Sequence, residues 1–152
     1  TDGPRCDCGN AGCLERMASG TNIARRAREA MASEPGRGAI LRQLVDNDPT
    51  RITAALVHHA SEEGDELARM IWEEAAEYLA IGLASIIHVL APQMIVLGGG
   101  VVQAGEGLLA PVRERLKRHV FYVPLERINI VQAELGHDSA LLGAATLAVS
   151  RE

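Results

Sequence analysis

The sequence predicts a helix-rich α/β domain with a short, mostly parallel sheet. Three observations carry that prediction. A long stretch from Glu66 to Leu90 places Leu67, Ile71, Ala75, Leu79, Leu83, Ile86 and Leu90 at helical period. Directly after it, Met94-Ile95-Val96-Leu97 is a short unbroken apolar run ending in Gly98-Gly99-Gly100, as expected of a strand buried on both faces. From there the pattern reads strand, helix, strand, helix, the rhythm of a parallel α/β unit.

The chain of 152 residues is sized for one domain. With 47% apolar residues it can bury a core without staples, and Phe121, Trp72, Tyr78 and Tyr122 are its only aromatics, so that core is aliphatic. A formal net charge of -5 argues against nucleic acid as a partner, there being no basic excess to neutralise phosphates. The local clusters Arg25-Arg26-Ala27-Arg28 and Arg113 to Arg118 read as solvated helix faces. The most apolar run, Tyr78 to Leu97, contains His88 and Pro92 and is no membrane span.

In chain order, residues 1–12 read as loop. A short helix is expected over Cys13–Ser19, broken by Gly20, with Thr21 capping the next over Asn22–Met31. Ile23, Ala27 and Ala30 form its inner face. Ser33-Glu34-Pro35-Gly36 is a turn, followed by a helix over Ala39–Val45. Asp48-Pro49 starts a helix over Thr50–Ser61 that buries Ile52, Leu56 and Val57. Gly64-Asp65 restarts the pattern before the long helix. Gly82, on that helix's inner side, costs about 1 kcal/mol against alanine, which points to close packing of a neighbour. Pro92 ends the helix. A helix over Glu106–His119 turns Leu108, Leu109, Val112 and Leu116 inward. A second strand spans Arg127–Ala133, and Asp138 caps a last helix, Ser139–Val149.

Chemistry concentrates at the start, Arg5-Cys6-Asp7-Cys8-Gly9-Asn10-Ala11-Gly12-Cys13-Leu14-Glu15, which holds all three cysteines. Gly9 and Gly12 let the backbone wrap tightly around whatever the sulfurs hold. Three soft ligands in one loop point to a structural zinc site, which prefers four such ligands. The alternatives are three small buried hydrophobes or reactive thiols. No fourth ligand is placed by local spacing: His58, His59, His88, His119 and His137 lie far along the chain, with His58 and His59 read as surface residues. An odd, clustered cysteine set suits a reducing cytoplasm better than a disulfide framework. Gly98–Gly100, at a strand end before a helix, suits close approach of a ligand to backbone, or a tight turn. It is no Walker A loop, since no Gly-Lys-Ser follows.

The segment Cys6-x-Cys8-Gly9-x-x-Gly12-Cys13-x-Glu15 resembles the signature of the ROK family, which comprises bacterial sugar kinases and sugar-responsive repressors. Ile95 to Val102, with Ala104-Gly105-Glu106 and Pro111-Val112-Arg113, is similar to the family's nucleotide-side glycine segment and following helix. Leu135-Gly136-His137-Asp138-Ser139-Ala140-Leu141-Leu142-Gly143-Ala144-Ala145 resembles its closing helix.

The resemblance implies an actin-like ATPase (ribonuclease H-like) fold, with residues 1–152 as its C-terminal lobe and a zinc-binding loop over 5–15. It implies zinc on Cys6, Cys8 and Cys13 plus a histidine from an upstream Glu-x-Gly-His segment. Glu15 would contact the sugar, and Gly98, Gly99, Gly100 and Val101 would lie against the adenosine of ATP. The catalytic Asp and the Asp-Gly-x-x phosphate loop would precede Thr1, so this chain supplies no catalytic residue and is expected to be inactive alone; its start at Thr1, without Met, fits the middle of a longer protein. The implied parent is a cytoplasmic, homodimeric glucokinase using ATP with Mg²⁺. Other hexoses and polyphosphate as donor stay open. The alternative is the sugar-sensing domain of a ROK-type repressor, distinguished by a winged helix-turn-helix upstream.

Overall fold

Asp65 organises the middle of the chain. In the computed structural model, which describes residues 3–149, its side chain is buried and accepts four backbone N–H groups. Oδ1 takes Leu67 and Ala68 at 3.0 and 3.1 Å, capping the long helix α5 (Glu66–Leu90). Oδ2 takes Ile40 and Leu41, both at 3.0 Å, at the start of α3 (Ala39–Leu44). One carboxylate thus satisfies donors at two helix N-termini, groups that have no partner within their own helices.

Four helices pack around α5. They are α1 (Leu14–Ala18), α2 (Gly20–Ser33), α4 (Ala54–Glu62) and α6 (Glu106–His119). The buried face of α5 carries Leu67, Ile71, Trp72, Ala75, Ala76, Ala80, Leu83, Ala84 and Ile87. Its small residues admit neighbours closely, and Gly82 does so as its position predicts. A Cβ there would stand 2.7 Å from Leu14 Cδ2, so α1 seats on the bare backbone. The buried stripe turns near its end: Ile86 and Leu90 are exposed, and Ile87 takes the inward place.

The long helix and α6 follow the predicted bounds. The first strand and the last helix also keep theirs, Met94–Leu97 and Ser139–Val149, while several helix starts differ. Ser19, not Thr21, caps α2, accepting Asn22 N–H at 3.4 Å, and Gly20 is the helix's first residue rather than a break. Asp48 caps only a 3-10 turn, Pro49–Arg51; α4 then begins at Ala54 under its own cap, Thr53. Of the Arg25–Arg28 cluster, Arg26 is no solvated side chain. At 14% exposure it bridges α2 to Glu74 of α5 (2.5 Å) and to the Met17 carbonyl of α1 (3.0 Å).

The sheet has two parallel strands, β1 (Met94–Leu97) and β2 (Asn129–Gln132), with Met94 opposite Asn129 and Leu97 opposite Gln132. α6 connects them. The prediction that β1 is buried on both faces is corrected: Met94 and Val96 are 54% and 56% exposed. Ile95 and Leu97 pack on the core, and no second layer covers the opposite face among the described residues. α7 (Ser139–Val149) follows a 3-10 turn at Gly136–Asp138 and leaves Leu141, Leu142, Leu147 and Val149 exposed. The cap expected of Asp138, and the side chains of His137, Ser139 and Ala140, lie outside what is described.

Glu77 of α5 clamps α6. It accepts His119 Nε2 and Arg118 Nη2, each at 2.7 Å, and pairs with Arg115 Nε at 3.2 Å. Partial burial pushes its carboxyl up, but the bond from His119 and the charges of Arg118, His119 and Arg115 outweigh it and hold it below its ordinary 4.5. A depressed carboxyl stabilises the fold above its ordinary value and loses that contribution as pH falls through the folded value. Thermal melts should therefore decline from pH 5 towards about pH 3, with a shallower decline in Glu77→Gln; identical slopes would remove Glu77 from the acid response.

Candidate sugar and metal site

The cysteine loop closes on itself before any metal is considered. Arg5 and Ala11 form an antiparallel bridge. Inside it, Cys6 N–H donates to the Asn10 carbonyl (2.8 Å) and Gly9 N–H to the Cys6 carbonyl (3.0 Å). The loop then crosses its own entry, where Gly12 N–H donates to the Pro4 carbonyl at 3.0 Å. At that crossing a Cβ on Gly3 would sit 2.4 Å from Gly12 Cα, and Gly12 has φ +68°, so both positions need glycine.

This folding gathers Cys6, Cys8 and Cys13 with their sulfurs within 4.8 Å of one another, and Cys8 to Cys13 at 3.4 Å. Tetrahedral zinc with Zn–S bonds of about 2.3 Å sets its sulfurs roughly 3.8 Å apart, so the three thiols fit such an ion. All three are free of disulfides. The Asn10 backbone N–H, then contacts with Cys13 and Cys6, hold the Cys8 thiol below its ordinary value. Hydrogen bonds to Cys8 and Cys6 push Cys13 up to about 11. Close thiols of this kind resist ionising together, and a bound cation relieves that. Among the described residues no histidine or carboxylate joins the cluster.

Cys13 is also the N-cap residue of α1, its carbonyl accepting Arg16 and Met17 N–H at 2.9 and 3.2 Å. The helix therefore starts one residue past the last sulfur, with Glu15 in its first turn. Leu14 against Gly82 and the buried Met17 fix the helix on α5. Asn22, which sequence reasoning did not single out, holds it from the other side. Buried at the start of α2, it donates from Nδ2 to the Glu15 carbonyl (3.0 Å) and to Ser19 Oγ (2.9 Å). Glu15's own carboxylate is exposed and makes no hydrogen bond or ion pair among the described residues.

Glu15 and Gly98–Val101, distant from each other in the sequence, line one cleft of about 390 Å³. Gly99 has φ +98°, and a Cβ on Gly99 or Gly100 would meet nothing within 4 Å, so this backbone lies bare to the cleft. A second groove of about 560 Å³ runs along the far side of Gly100 and Val101, with Thr21, Arg28 and Thr53 on its walls. Thr21 and Arg28 lie two turns apart on α2, and Thr53 joins them from the start of α4. His59 is exposed as expected. His58 is not, with a side chain 15% exposed and its ring 4.6 Å from that of Trp72. The reason is Gly107, whose missing side chain leaves room for the imidazole.

Comparison with known proteins identifies the family. The ROK family model matches residues 1–151. A glucokinase of Thermotoga maritima is 33% identical over 150 residues, covering 99% of this chain and 46% of its own. A xylose repressor of Caldicellulosiruptor bescii is 27% identical, covering 95% of this chain and 35% of its own. A ROK family glucokinase from Streptomyces griseus, solved with glucose and AMPPNP, superposes with a TM-score of 0.83 at 32% identity, over 96% of this chain and 47% of that one. The chain thus spans about half the length of the curated glucokinase it matches. No described helix is long and apolar enough to cross a membrane. With a cysteine knuckle leading into Glu15, a bare glycine segment across the cleft and a family match over nearly its whole length, the chain belongs to the ROK family.

Proposed function

We propose that this chain is the sugar- and zinc-binding C-terminal lobe of an actin-like, ATP-dependent glucokinase, whose parent converts ATP and glucose to ADP and glucose 6-phosphate. The observation that carries the reading is the shared cleft: Glu15 and Gly98–Val101 meet there although about half of the chain separates them. Glu15 accepts hydrogen bonds from sugar hydroxyls, which a charged acceptor holds more strongly than a neutral one. Gly98, Gly99, Gly100 and Val101 take the nucleotide side, where the absence of side chains lets a ligand contact backbone. Zinc on Cys6, Cys8, Cys13 and one ligand from outside the chain holds the loop rigid, and with it the start of α1. The groove walled by Thr21, Arg28 and Thr53 extends the nucleotide side.

Phosphoryl transfer depends on positioning and on charge stabilisation by Mg²⁺ and its carboxylates. In this reading, which follows the family resemblance, the catalytic Asp and phosphate loop belong to the rest of the parent. The parent is cytoplasmic, with no nucleic-acid or membrane partner. It pairs as a homodimer, a reading supported by the apolar end formed by Val89, Leu90, Phe121 and Tyr122.

A coupled assay tests the proposal. Full-length protein with ATP and Mg²⁺ should form glucose 6-phosphate, and this chain alone should read blank. Turnover by the chain alone would contradict the placing of the catalytic Asp. Full-length protein that binds glucose without turnover would instead be a sugar-sensing repressor.

A further inference from the structure

The space below the glycine segment is closed by an arrangement that the cleft itself does not use. Pro111 lies inside α6 and has no N–H for the Gly107 carbonyl one turn earlier. Trp72 supplies the missing donor: its Nε1–H reaches that carbonyl at 2.9 Å. His58 fills the place where Gly107 has no side chain. Its Nε2 would lie 2.2 Å from a Cβ built there, and its ring leans on Trp72. Residues of α4, α5 and α6 thus interlock at one point.

That point is mechanically continuous with the glycine segment. The 3-10 turn Val101–Ala104 runs from Gly100 to Gly105, and the Gly105 carbonyl accepts Leu108 and Leu109 N–H at 3.1 and 3.0 Å, starting α6. A cavity of about 150 Å³ lies between His58 and Trp72 on one side and Gly100, Val101, Gln103 and Ala104 on the other. On its outer side Val101 is wedged against Gly20, where a Cβ would be 3.3 Å from Val101 Cγ2. Any shift of α6 at Gly107 is therefore passed to Gly100 and Val101, while α1 and Glu15 rest on a different part of α5.

We propose that His58, Trp72 and Gly107 are positioning residues for the nucleotide side of the site, setting Gly100 and Val101 without touching the ligand. The proposal rests on the nucleotide-side reading of Gly98–Val101. It also makes an unusual sign prediction. Alanine is a better helix former than glycine, so Gly107→Ala should be harmless unless the His58 contact matters.

The test is calorimetric titration of the full-length protein with AMPPNP and, separately, glucose. Gly107→Ala should weaken AMPPNP about tenfold with glucose affinity unchanged, and His58→Ala/Gly107→Ala should recover most of the loss. Trp72→Phe keeps an aromatic side chain but leaves the Gly107 carbonyl without the indole N–H, so it should weaken AMPPNP in the same selective way and decides the matter if Gly107→Ala does not fold. Equal weakening of both ligands, or no recovery in the double variant, would overturn the positioning role. Wild-type protein that binds glucose but no AMPPNP would overturn the nucleotide-side reading and this proposal with it. Tight wild-type AMPPNP binding left unmoved by Gly107→Ala and Trp72→Phe would overturn this proposal alone.

Discussion

Glu15→Gln in the full-length protein should raise the glucose KM about 10- to 100-fold, from a charge-assisted hydrogen bond of roughly 1.5–3 kcal/mol. The ATP KM should change little, because the glycine segment borders the cleft from the other side. Stability should also hold, since the exposed carboxylate has no partner in the described fold whose loss would cost anything. That combination separates a ligand contact from a structural acid. Steady-state kinetics with each substrate varied in turn, alongside a thermal melt, checks it. An unchanged glucose KM would remove Glu15 from the site.

The second large effect is on folding. Asp65→Ala strips the acceptors from Ile40, Leu41, Leu67 and Ala68 at once. Losing an N-cap typically costs about 1–2 kcal/mol, and two helices lose theirs, so about 2–4 kcal/mol is expected. For a domain of this size that lowers Tm by roughly 5–15 °C. Asp65→Asn retains one acceptor oxygen and should fall between. A denaturant midpoint within error of wild type for Asp65→Ala would show that water or local rearrangement replaces the carboxylate.

Half of Asp65's role was legible and half was not. Gly64-Asp65 before an apolar periodic run marks a helix start, so the bounds of α5 could be read locally. Its bonds to Ile40 and Leu41 depend on a helix distant in sequence being brought alongside, which no local pattern encodes. The same division runs through the molecule. Local signals placed α6, β1 and the cysteine loop, because proline, glycine and period act over a few residues. The errors arose where tertiary context decides. Ile86 and Leu90 continue the helical period of α5, yet the packed face of that helix has rotated to Ala84 and Ile87 and leaves them exposed. Met94 and Val96 look like a strand core, but among the described residues only one face of the two-stranded sheet is covered. His58 resembled its exposed neighbour His59 because nothing in the sequence joins it to Gly107.

The candidate site divides in the same way. Cys6, Cys8, Cys13 and Glu15 form one local motif, and Gly98–Val101 another. That the two face each other follows from α1 seating on Gly82 and β1 ending beside it, a relation visible only in three dimensions. Asn22 had no signal, since its importance lies in bonding a backbone carbonyl, and any sequence could provide that carbonyl.

On the proposed reading, the cysteine loop exists to aim Glu15 at the sugar. The most direct measurement follows glucose and AMPPNP affinity in the full-length protein while a chelator withdraws the metal proposed for Cys6, Cys8 and Cys13. Glucose affinity should fall in step with metal content, with AMPPNP affinity largely retained. Undiminished glucose binding by fully metal-free protein would contradict the claim.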